Sequence, residues 1–248
     1  VGCLALMSDF GTALIFFVAF LCIAFLRTGD LPSIVMITAA AGFAGGIVLR
    51  FKPYVLARFA VWRHAWEYAQ KEGYQQTRTM SAVASGGLFG AGPEEAWLKY
   101  VGAANTDLVF GVVSEEFGLL LALCAAAAVI LLGIYALRAA GRSRSCFYAI
   151  AACATAAMLV FQTTLNVLGS VDLLPLTGVT FPFVSMGGSS MLSCWGLLAY
   201  LQAAAPPPVS VKAAPKAPAP AVKPPQATGF LDELGVATDD IFGKEDAR

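Results

Sequence analysis

Charge is scarce in this sequence, because Asp, Glu, Lys and Arg together make up only 13% of its 248 residues. Hydrophobic residues make up 58%, whereas an ordinary soluble domain has about 45–50% apolar and about 25% charged residues. The composition therefore excludes a typical soluble domain and favours a membrane protein. The 16 acidic and 16 basic residues balance, so the net charge indicates no partner.

Metal ligands and disulfide patterns are also scarce. His64 is the only histidine, and none of the six cysteines belongs to a Cys-x-x-Cys pair or a Cys/His cluster. These absences argue against a zinc site and against a disulfide framework. The residues identify no metal site and no cofactor, and they leave open whether a divalent cation is required.

Long apolar runs are what the sequence has in abundance. Four runs contain no Asp, Glu, Lys or Arg: Phe10–Leu26, Leu31–Leu49, Phe117–Leu137 and Ser145–Val171. A helix needs about 20 apolar residues to cross the hydrocarbon core of a bilayer. We therefore predict an all-α polytopic membrane domain over residues 1–204. Its five transmembrane helices are expected at about residues 8–26, 31–50, 108–138, 146–168 and 187–204.

The two ends of the chain differ from the centre of this domain. Val1–Met7 is apolar and resembles the end of an earlier segment, so we expect the chain to be the C-terminal part of a larger protein. Residues 205–248 begin with a Pro/Ala/Lys-rich stretch and finish with acids among hydrophobic residues. That composition predicts a disordered tail. Its last residues form either a solvated end or a short partner-binding helix.

Basic residues in the short connections set the expected orientation. Five helices would place two short connections and the tail on one side of the membrane. Those connections carry four arginines, namely Arg27, Arg138, Arg142 and Arg144. The connection 169–186, on the other side, has no basic residue. The positive-inside rule then makes the tail cytoplasmic, so the long loop 51–107 and Asp107 are expected to be extracytoplasmic.

The outer loop, residues 51–107, is too long for a simple connection. Residues 54–70 mix aromatic and basic side chains at roughly helical spacing. This predicts an amphipathic helix that lies either in the membrane interface or on the protein surface. The glycine-rich stretch 84–95 lacks the GK[ST] ending of a phosphate-binding loop. Its glycines are expected to allow tight turns and close approach of the backbone to a ligand or a helix.

Three carboxylates stand where an apolar helix is expected to begin, in the stretch ANTDLVFGVVSEEFG of residues 104–118. Asp107 has two interpretations, because it either caps the helix N-terminus or serves as a catalytic group at the membrane surface. Glu115 and Glu116 follow two turns later, and intramembrane acids carry a functional hypothesis by default. They cannot both share a helix face with Asp107. We expect at least one of them to be structural, paired with a basic or hydroxyl group.

A Pro/Gly-rich segment separates the last two predicted helices and ends in FPFVSMGGSS, residues 181–190. Irregular backbone at membrane depth is tolerated only where it is buried in protein or lines a cavity. We therefore expect this segment to line a cavity. The hydroxyls of Ser185, Ser189 and Ser190 would there offer hydrogen bonds to a polar ligand.

Four motifs follow one another along the chain: SDFGTALIFF, GYQQTRTMSAVASGGLFGAG, NTDLVFGVVSEEFG and LPLTGVTFPFVSMGGSS. Their order and approximate spacing resemble the SEDS family, the FtsW/RodA/SpoVE proteins of bacterial shape, elongation, division and sporulation. The resemblance covers about residues 8–201. It implies a ten-helix protein of which this chain is the C-terminal half. It also implies a peptidoglycan glycosyltransferase that polymerises lipid II at the outer face of the bacterial plasma membrane.

The resemblance also implies partners. A class B penicillin-binding protein transpeptidase is expected, together with other proteins of a division or elongation complex, and no nucleic acid is expected. Two other functions stay open: a flippase for the lipid-linked precursor and a non-catalytic scaffold. The sequence does not distinguish division from elongation or sporulation.

Compared residue by residue, the family's essential acid matches Asp107. The resemblance implies that this carboxylate is the base that activates the acceptor hydroxyl in an inverting transfer. The family's paired-glutamate motif matches residues 114–118, and its Pro-Phe to Ser-Ser motif matches residues 182–190. Four positions depart from the family pattern: Ser8 replaces Pro, Asn105 replaces His, Met186 replaces Tyr and Ala103 replaces a frequent acid.

The remaining expected site residues fall into two groups. The substrate-binding or cavity-lining residues are expected to be Arg58, Arg63, Arg78, Lys99, Ser185, Gly187, Gly188, Ser189 and Ser190. The four basic residues among them are candidates for contacts to the leaving diphosphate. The supporting residues are expected to be Asp9, Thr106, Glu115, Glu116 and Pro182.

Overall fold

The computed structural model describes residues 9–51, 53–143 and 145–204. The predicted tail, residues 205–248, lies outside the described residues, as do Ser8 and Arg144. Within the described ranges the chain is all-α, as predicted, with no strand. Its helices are α1 Phe10–Thr28, α2 Leu31–Phe51, α3 Pro53–Val61, α4 Tyr74–Gly86, α5 Val109–Phe117, α6 Leu119–Ala140, α7 Cys146–Ser170 and α8 Gly188–Ala204, with a 3₁₀ turn at Leu98–Tyr100.

Three helices in the described part of the chain are long and apolar enough to cross a membrane, namely α1, α6 and α7. Their mean hydropathies are 2.3, 2.6 and 1.6, and each has about the length that the hydrocarbon core requires. The apolar part of α2, Leu31–Ile47, and α8, with 17 residues, are shorter. The chain is therefore a multi-pass membrane protein, and the figure of five spans stays a prediction.

Small residues form the contact between α6 and α7. The buried cluster there consists of Val129, Ala136, Ala140, Ala152, Ala156 and Leu159, with Cys194 and Leu201 from α8. A Cβ atom added at Gly133 would lie 2.7 Å from Cγ2 of Val160. Lipid tails are as apolar as the helices, so close packing between small residues is what drives helix association in a membrane.

The connection between α7 and α8 packs against the start of α1. Ile15 of α1, Leu165 of α7 and Val179 of the connection form one buried cluster. A Cβ atom added at Gly11 would lie 3.0 Å from the carbonyl oxygen of Thr177. Asp9 caps α1, since its Oδ1 accepts the N–H of Thr12 at 3.1 Å. The capping carboxylate therefore lies beside the irregular segment that precedes α8.

The helix predicted at 108–138 is wrong as one element, because α5 ends at Phe117 and α6 begins at Leu119. Gly118 separates them with φ 94° and ψ 156°, a conformation that residues with a Cβ atom rarely adopt. The glycine-rich stretch crosses the chain at this break, where the N–H of Leu119 donates to the carbonyl of Gly87 at 3.0 Å. A Cβ atom at Gly86 would lie 2.6 Å from Cα of Glu115. The predicted close backbone approach by these glycines is confirmed.

The helix predicted over 54–70 is also shorter than expected. Helix α3 ends at Val61, and turns follow until α4 begins at Tyr74. Arg63 has φ 64°, which ends the helix, and its backbone N–H donates to Oδ1 of Asp172 at 3.0 Å. The helical spacing of aromatic and basic residues continued beyond this point, but a tertiary hydrogen bond determines where the helix stops.

Substitution of Gly118 by Ala is expected to destabilise the protein by at least about 2 kcal/mol, since it adds backbone strain and a steric clash. The new Cβ atom would overlap the carbonyl oxygen of Leu88 and lie 2.6 Å from the carbonyl carbon of Phe89. Gly92→Ala is the matched control, because Gly92 has φ 91° but no heavy atom near its Cβ position. Thermal unfolding in detergent measures both variants. Equal losses of stability in the two variants would show that the close backbone contacts at Gly118 contribute nothing beyond the strain of its positive φ.

Candidate functional site

Asp107 lies in a tight turn just before α5. The carbonyl of Ala103, which has φ 63°, accepts the N–H groups of Thr106, Asp107 and Leu108 at 3.2, 3.0 and 3.3 Å. The N-cap of α5 is Leu108, and no side chain makes a cap hydrogen bond there. The interpretation of Asp107 as a helix cap is therefore wrong, and its carboxylate needs another explanation.

The Asp107 turn is attached through its backbone oxygens to α7 and to the segment before α8. Ser185 donates its hydroxyl to the carbonyl of Thr106 at 2.6 Å and accepts the N–H of Phe181 at 2.7 Å. Asn166 of α7 donates its side-chain amide to the carbonyls of Asp107 at 2.9 Å and Val179 at 2.6 Å. Ser185 and Asn166 are each only 2% exposed, so these bonds are shielded from water.

Asp107 borders a pocket of about 360 Å³. The lining residues are Ala57, Arg58, Val61, Glu72, Gln75, Gln76, Asp107 and Leu176. Gly178, with φ 71°, lies at the same place: a Cβ atom there would be 3.2 Å from Oδ2 of Asp107 and 3.7 Å from Nη1 of Arg58. Within the described residues no three His, Cys, Asp or Glu side chains are grouped as metal ligands. The polar groups of the pocket are two carboxylates, a guanidinium and two amides.

Burial raises the pKa of the Asp107 carboxyl above its ordinary value. A hydrogen bond from the Thr106 side chain and the charge of Arg58 lower the pKa, and the charge of Asp9 raises it, with burial the largest effect. A carboxylate with a raised pKa is a stronger base near neutral pH. The environment of Asp107 therefore suits proton abstraction better than that of an exposed acid.

Of the four predicted basic residues, Arg58 is the one that lines this pocket. Its Nη1 donates to the carbonyl of Leu176 at 2.5 Å. Arg63 is exposed in the turn after α3. The Arg78 guanidinium lies over the rings of Tyr74 and Trp97, and Nζ of Lys99 donates to the carbonyl of Pro93. The described structure brings Arg58, and not the other three, to Asp107.

Ser185 was predicted to offer its hydroxyl to a ligand, but in the described structure its one O–H group donates to the Thr106 carbonyl. Ser190 hydrogen-bonds Thr180 at 2.7 Å, and the exposed Ser189 begins α8 with Gly188. The N–H of Gly187 donates to the Ser185 carbonyl at 2.9 Å. This segment supports the Asp107 turn rather than presenting a row of hydroxyls.

The predicted supporting residues have identifiable contacts. Glu115 is 1% exposed, and its two carboxylate oxygens accept the N–H groups of Trp97 at 3.1 Å and Leu98 at 2.9 Å. Its partners are therefore backbone amides and not the basic or hydroxyl group that we expected. The carbonyl of Glu116 accepts the N–H of Gly92 at 3.2 Å. Pro182 is fully buried in the segment before α8.

Several residues at the site were missed by sequence reasoning. Asn166 had a detectable signal, since an amide in an apolar run is costly to bury unless it is hydrogen-bonded. Gly178 and two of the polar pocket residues, Gln75 and Gln76, lie within the quoted motifs, but only the folded chain shows that they border Asp107. These missed pocket residues are Glu72, Gln75 and Gln76.

Comparison with known proteins extends the resemblance found in the sequence. Residues 1–206 match the family model FtsW/RodA/SpoVE, described as cell cycle protein. The chain is 32% identical over 203 residues to the "Probable peptidoglycan glycosyltransferase FtsW" of Coxiella burnetii, covering 77% of this chain and 53% of that protein. It is 34% identical over 197 residues to the "Peptidoglycan glycosyltransferase RodA" of Mycobacterium leprae, covering 78% of this chain and 42% of that protein.

A solved structure shares the fold with a TM-score of 0.63 and 25% identity, covering 81% of this chain and 57% of that one. It is described as "Structural coordination of polymerization and crosslinking by a peptidoglycan synthase complex". The chain spans about half the length of the curated relatives that it matches. Because the family model matches most of its residues, the chain belongs to the FtsW/RodA/SpoVE family of cell cycle proteins.

Proposed function

We propose that the protein containing this chain is a peptidoglycan glycosyltransferase that polymerises lipid II into glycan strands. The names of its relatives support this reaction. The observation that carries the proposal is the state of Asp107. Its carboxylate caps no helix, borders a polar pocket and has a pKa raised by burial.

In the proposed reaction, Asp107 removes the proton of an acceptor sugar hydroxyl while that oxygen attacks the anomeric carbon of the donor. A new carbon–oxygen bond forms, and the bond between the anomeric carbon and the diphosphate oxygen breaks. The electron pair of the broken bond leaves with the undecaprenyl diphosphate. A single displacement of this kind inverts the anomeric centre. The hydroxyl is a poor nucleophile until a base takes its proton, so the position of the carboxylate limits the rate.

Arg58 has two proposed effects. Its positive charge lowers the pKa of Asp107, which favours the ionised carboxylate that a general base requires. The same positive charge would stabilise the negative charge that develops on the leaving diphosphate. Arg63, Arg78 and Lys99 stay candidates for diphosphate contacts outside the pocket.

The proposed setting is the bacterial plasma membrane, with Asp107 on the extracytoplasmic side and the tail in the cytoplasm. The arginines of the two short connections on the other side support this orientation. The proposed partner is a class B penicillin-binding protein transpeptidase within a division or elongation complex. The shared fold with a chain of a peptidoglycan synthase complex supports such a partner.

Replacing Asp107 by Asn is expected to slow glycan polymerisation at least about 100-fold, because the amide cannot accept the hydroxyl proton. The measurement is the rate of glycan formation from purified lipid II by the full-length protein with its transpeptidase partner. The thermal midpoint at neutral pH should not fall. The raised pKa means that folding disfavours the charged carboxylate at pH values above that pKa, and the neutral amide removes this penalty.

Glu94→Gln is the matched control, since Glu94 is an exposed acid of the same outer loop and should leave the rate unchanged. Normal polymerisation by the Asp107→Asn variant, or no polymer from the wild-type pair, would refute the proposed function. A flippase would instead move labelled lipid across vesicles without a transpeptidase. A scaffold would support normal growth with Asn at position 107.

The pH dependence of kcat/KM is expected to rise through the pKa of Asp107, because the base must be ionised. Arg58→Gln removes a charge that lowers this pKa, so the acid limb should move to higher pH. Asp9→Asn removes a charge that raises it, so the limb should move to lower pH. Asn still caps α1, because its side-chain oxygen can accept the Thr12 N–H. Shifts in the same direction for both variants would contradict the assignment of the limb to Asp107.

A further inference from the structure

Asp172 connects three parts of the molecule through one oxygen. It lies just after α7 with φ 61°. Its Oδ1 accepts the backbone N–H of Arg63 at 3.0 Å and the side-chain amide of Gln76 at 2.8 Å. Gln76 is 4% exposed and also donates to the carbonyl of Gly169 at 3.2 Å. The turn after α3, helix α4 and the end of α7 therefore meet at this carboxylate.

The same regions line the Asp107 pocket. Helix α3 contributes Arg58, the turn after it contributes Glu72, helix α4 contributes Gln76, and the connection after α7 contributes Leu176. Two further bonds attach α3 and the turn after it to the same connection: Arg58 to the Leu176 carbonyl at 2.5 Å and the Trp62 indole to the Leu173 carbonyl at 3.1 Å. The Asp172 attachment differs from these two because it also holds α4.

We infer that Asp172 is a positioning residue of the proposed glycosyltransferase site, which keeps Arg58 and Gln76 in place beside Asp107. The inference rests on the proposed function and adds a residue that the reaction itself does not require. Asp172 is not among the residues that line the pocket. Its Oδ1 already accepts two hydrogen bonds, so it acts on the site through the elements that it joins.

A simpler explanation for Asp172 is its backbone conformation alone. Asp and Asn tolerate positive φ better than most residues, and Gly tolerates it best. On that explanation the side-chain bonds would be incidental, and Gly would serve at least as well. If Asp172 positions the site, its acceptor oxygen is essential, so the Gly variant should lose activity and the Asn variant should keep it.

The pH profile separates positioning from a general loss of stability. The charged groups around Asp107 are Arg58 from α3, Asp9 at the start of α1, and Glu72 on the pocket wall before α4. Release of α3 would move the Arg58 charge away from Asp107. The acid limb of the kcat/KM profile would then shift to higher pH. In an enzyme that is only less stable, the acid limb would stay at the same pH.

The experiment compares Asp172→Asn, Asp172→Gly and Asp172→Ala in the full-length protein with its transpeptidase partner and lipid II. We expect the Asn variant to match the wild type, because its side-chain oxygen can still accept both bonds. The Gly and Ala variants should lose about 10-fold to 100-fold in kcat, as a small displacement of a reacting group does. Both should also shift the acid limb to higher pH.

A Gly variant with the kcat and the acid limb of the wild type would show that only the backbone conformation of Asp172 matters, which would overturn the inference. An Asn variant as slow as Ala would overturn it as well, since the acceptor oxygen would then not be the cause. Loss of rate with an unmoved acid limb and a lower thermal midpoint would show a purely structural residue. A wild-type pair that makes no glycan would refute the proposed function itself, which is a separate result.

Discussion

The attachment of the Asp107 turn to α7 and to the segment before α8 is the constraint on which the proposed site depends. The turn lies at the end of a long loop, and loops are more mobile than the elements that they connect. Here the carbonyls of Thr106 and Asp107 accept bonds from Ser185 and Asn166, which come from two separate parts of the chain. A buried hydrogen bond contributes about 1 kcal/mol, but two bonds from different directions also fix a position. The position of the Asp107 turn is therefore set by α7 and by the segment before α8.

A second constraint sets the pKa of Asp107 through burial and a nearby positive charge. Burial raises its pKa, and Arg58 and the Thr106 side chain offset part of that effect. Arg58 can do so because α3 and the turn after it are bonded to the connection after α7 at Leu176 and Leu173. Helix α3 thus brings a positive charge to the proposed site, while α7 and the segment before α8 hold the turn that carries Asp107. The pKa of Asp107 therefore depends on both parts, since burial raises it and the Arg58 charge lowers it.

The sequence predicted those features that the bilayer itself imposes. The lengths of α1, α6 and α7 follow from the thickness of the hydrocarbon core, so apolar runs were sufficient to find them. The break at Gly118 and the end of α3 at Val61 follow from backbone contacts between distant segments, which leave no periodic signal. The motif resemblance indicated Asp107, but only the fold shows that Asp107 caps no helix and that Arg58 is its neighbour.

Ser185 shows why a hydroxyl in a motif is a poor guide to ligand binding. A serine has one O–H donor, and this one is used on the Thr106 carbonyl. Its oxygen also accepts the Phe181 N–H, so the residue joins the segment before α8 to the Asp107 turn. A change in this segment is therefore expected to move Asp107, the proposed base, even if no residue of the segment touches a sugar. The structural role of the motif would then also be its contribution to the proposed reaction, because that reaction depends on where the carboxylate is held.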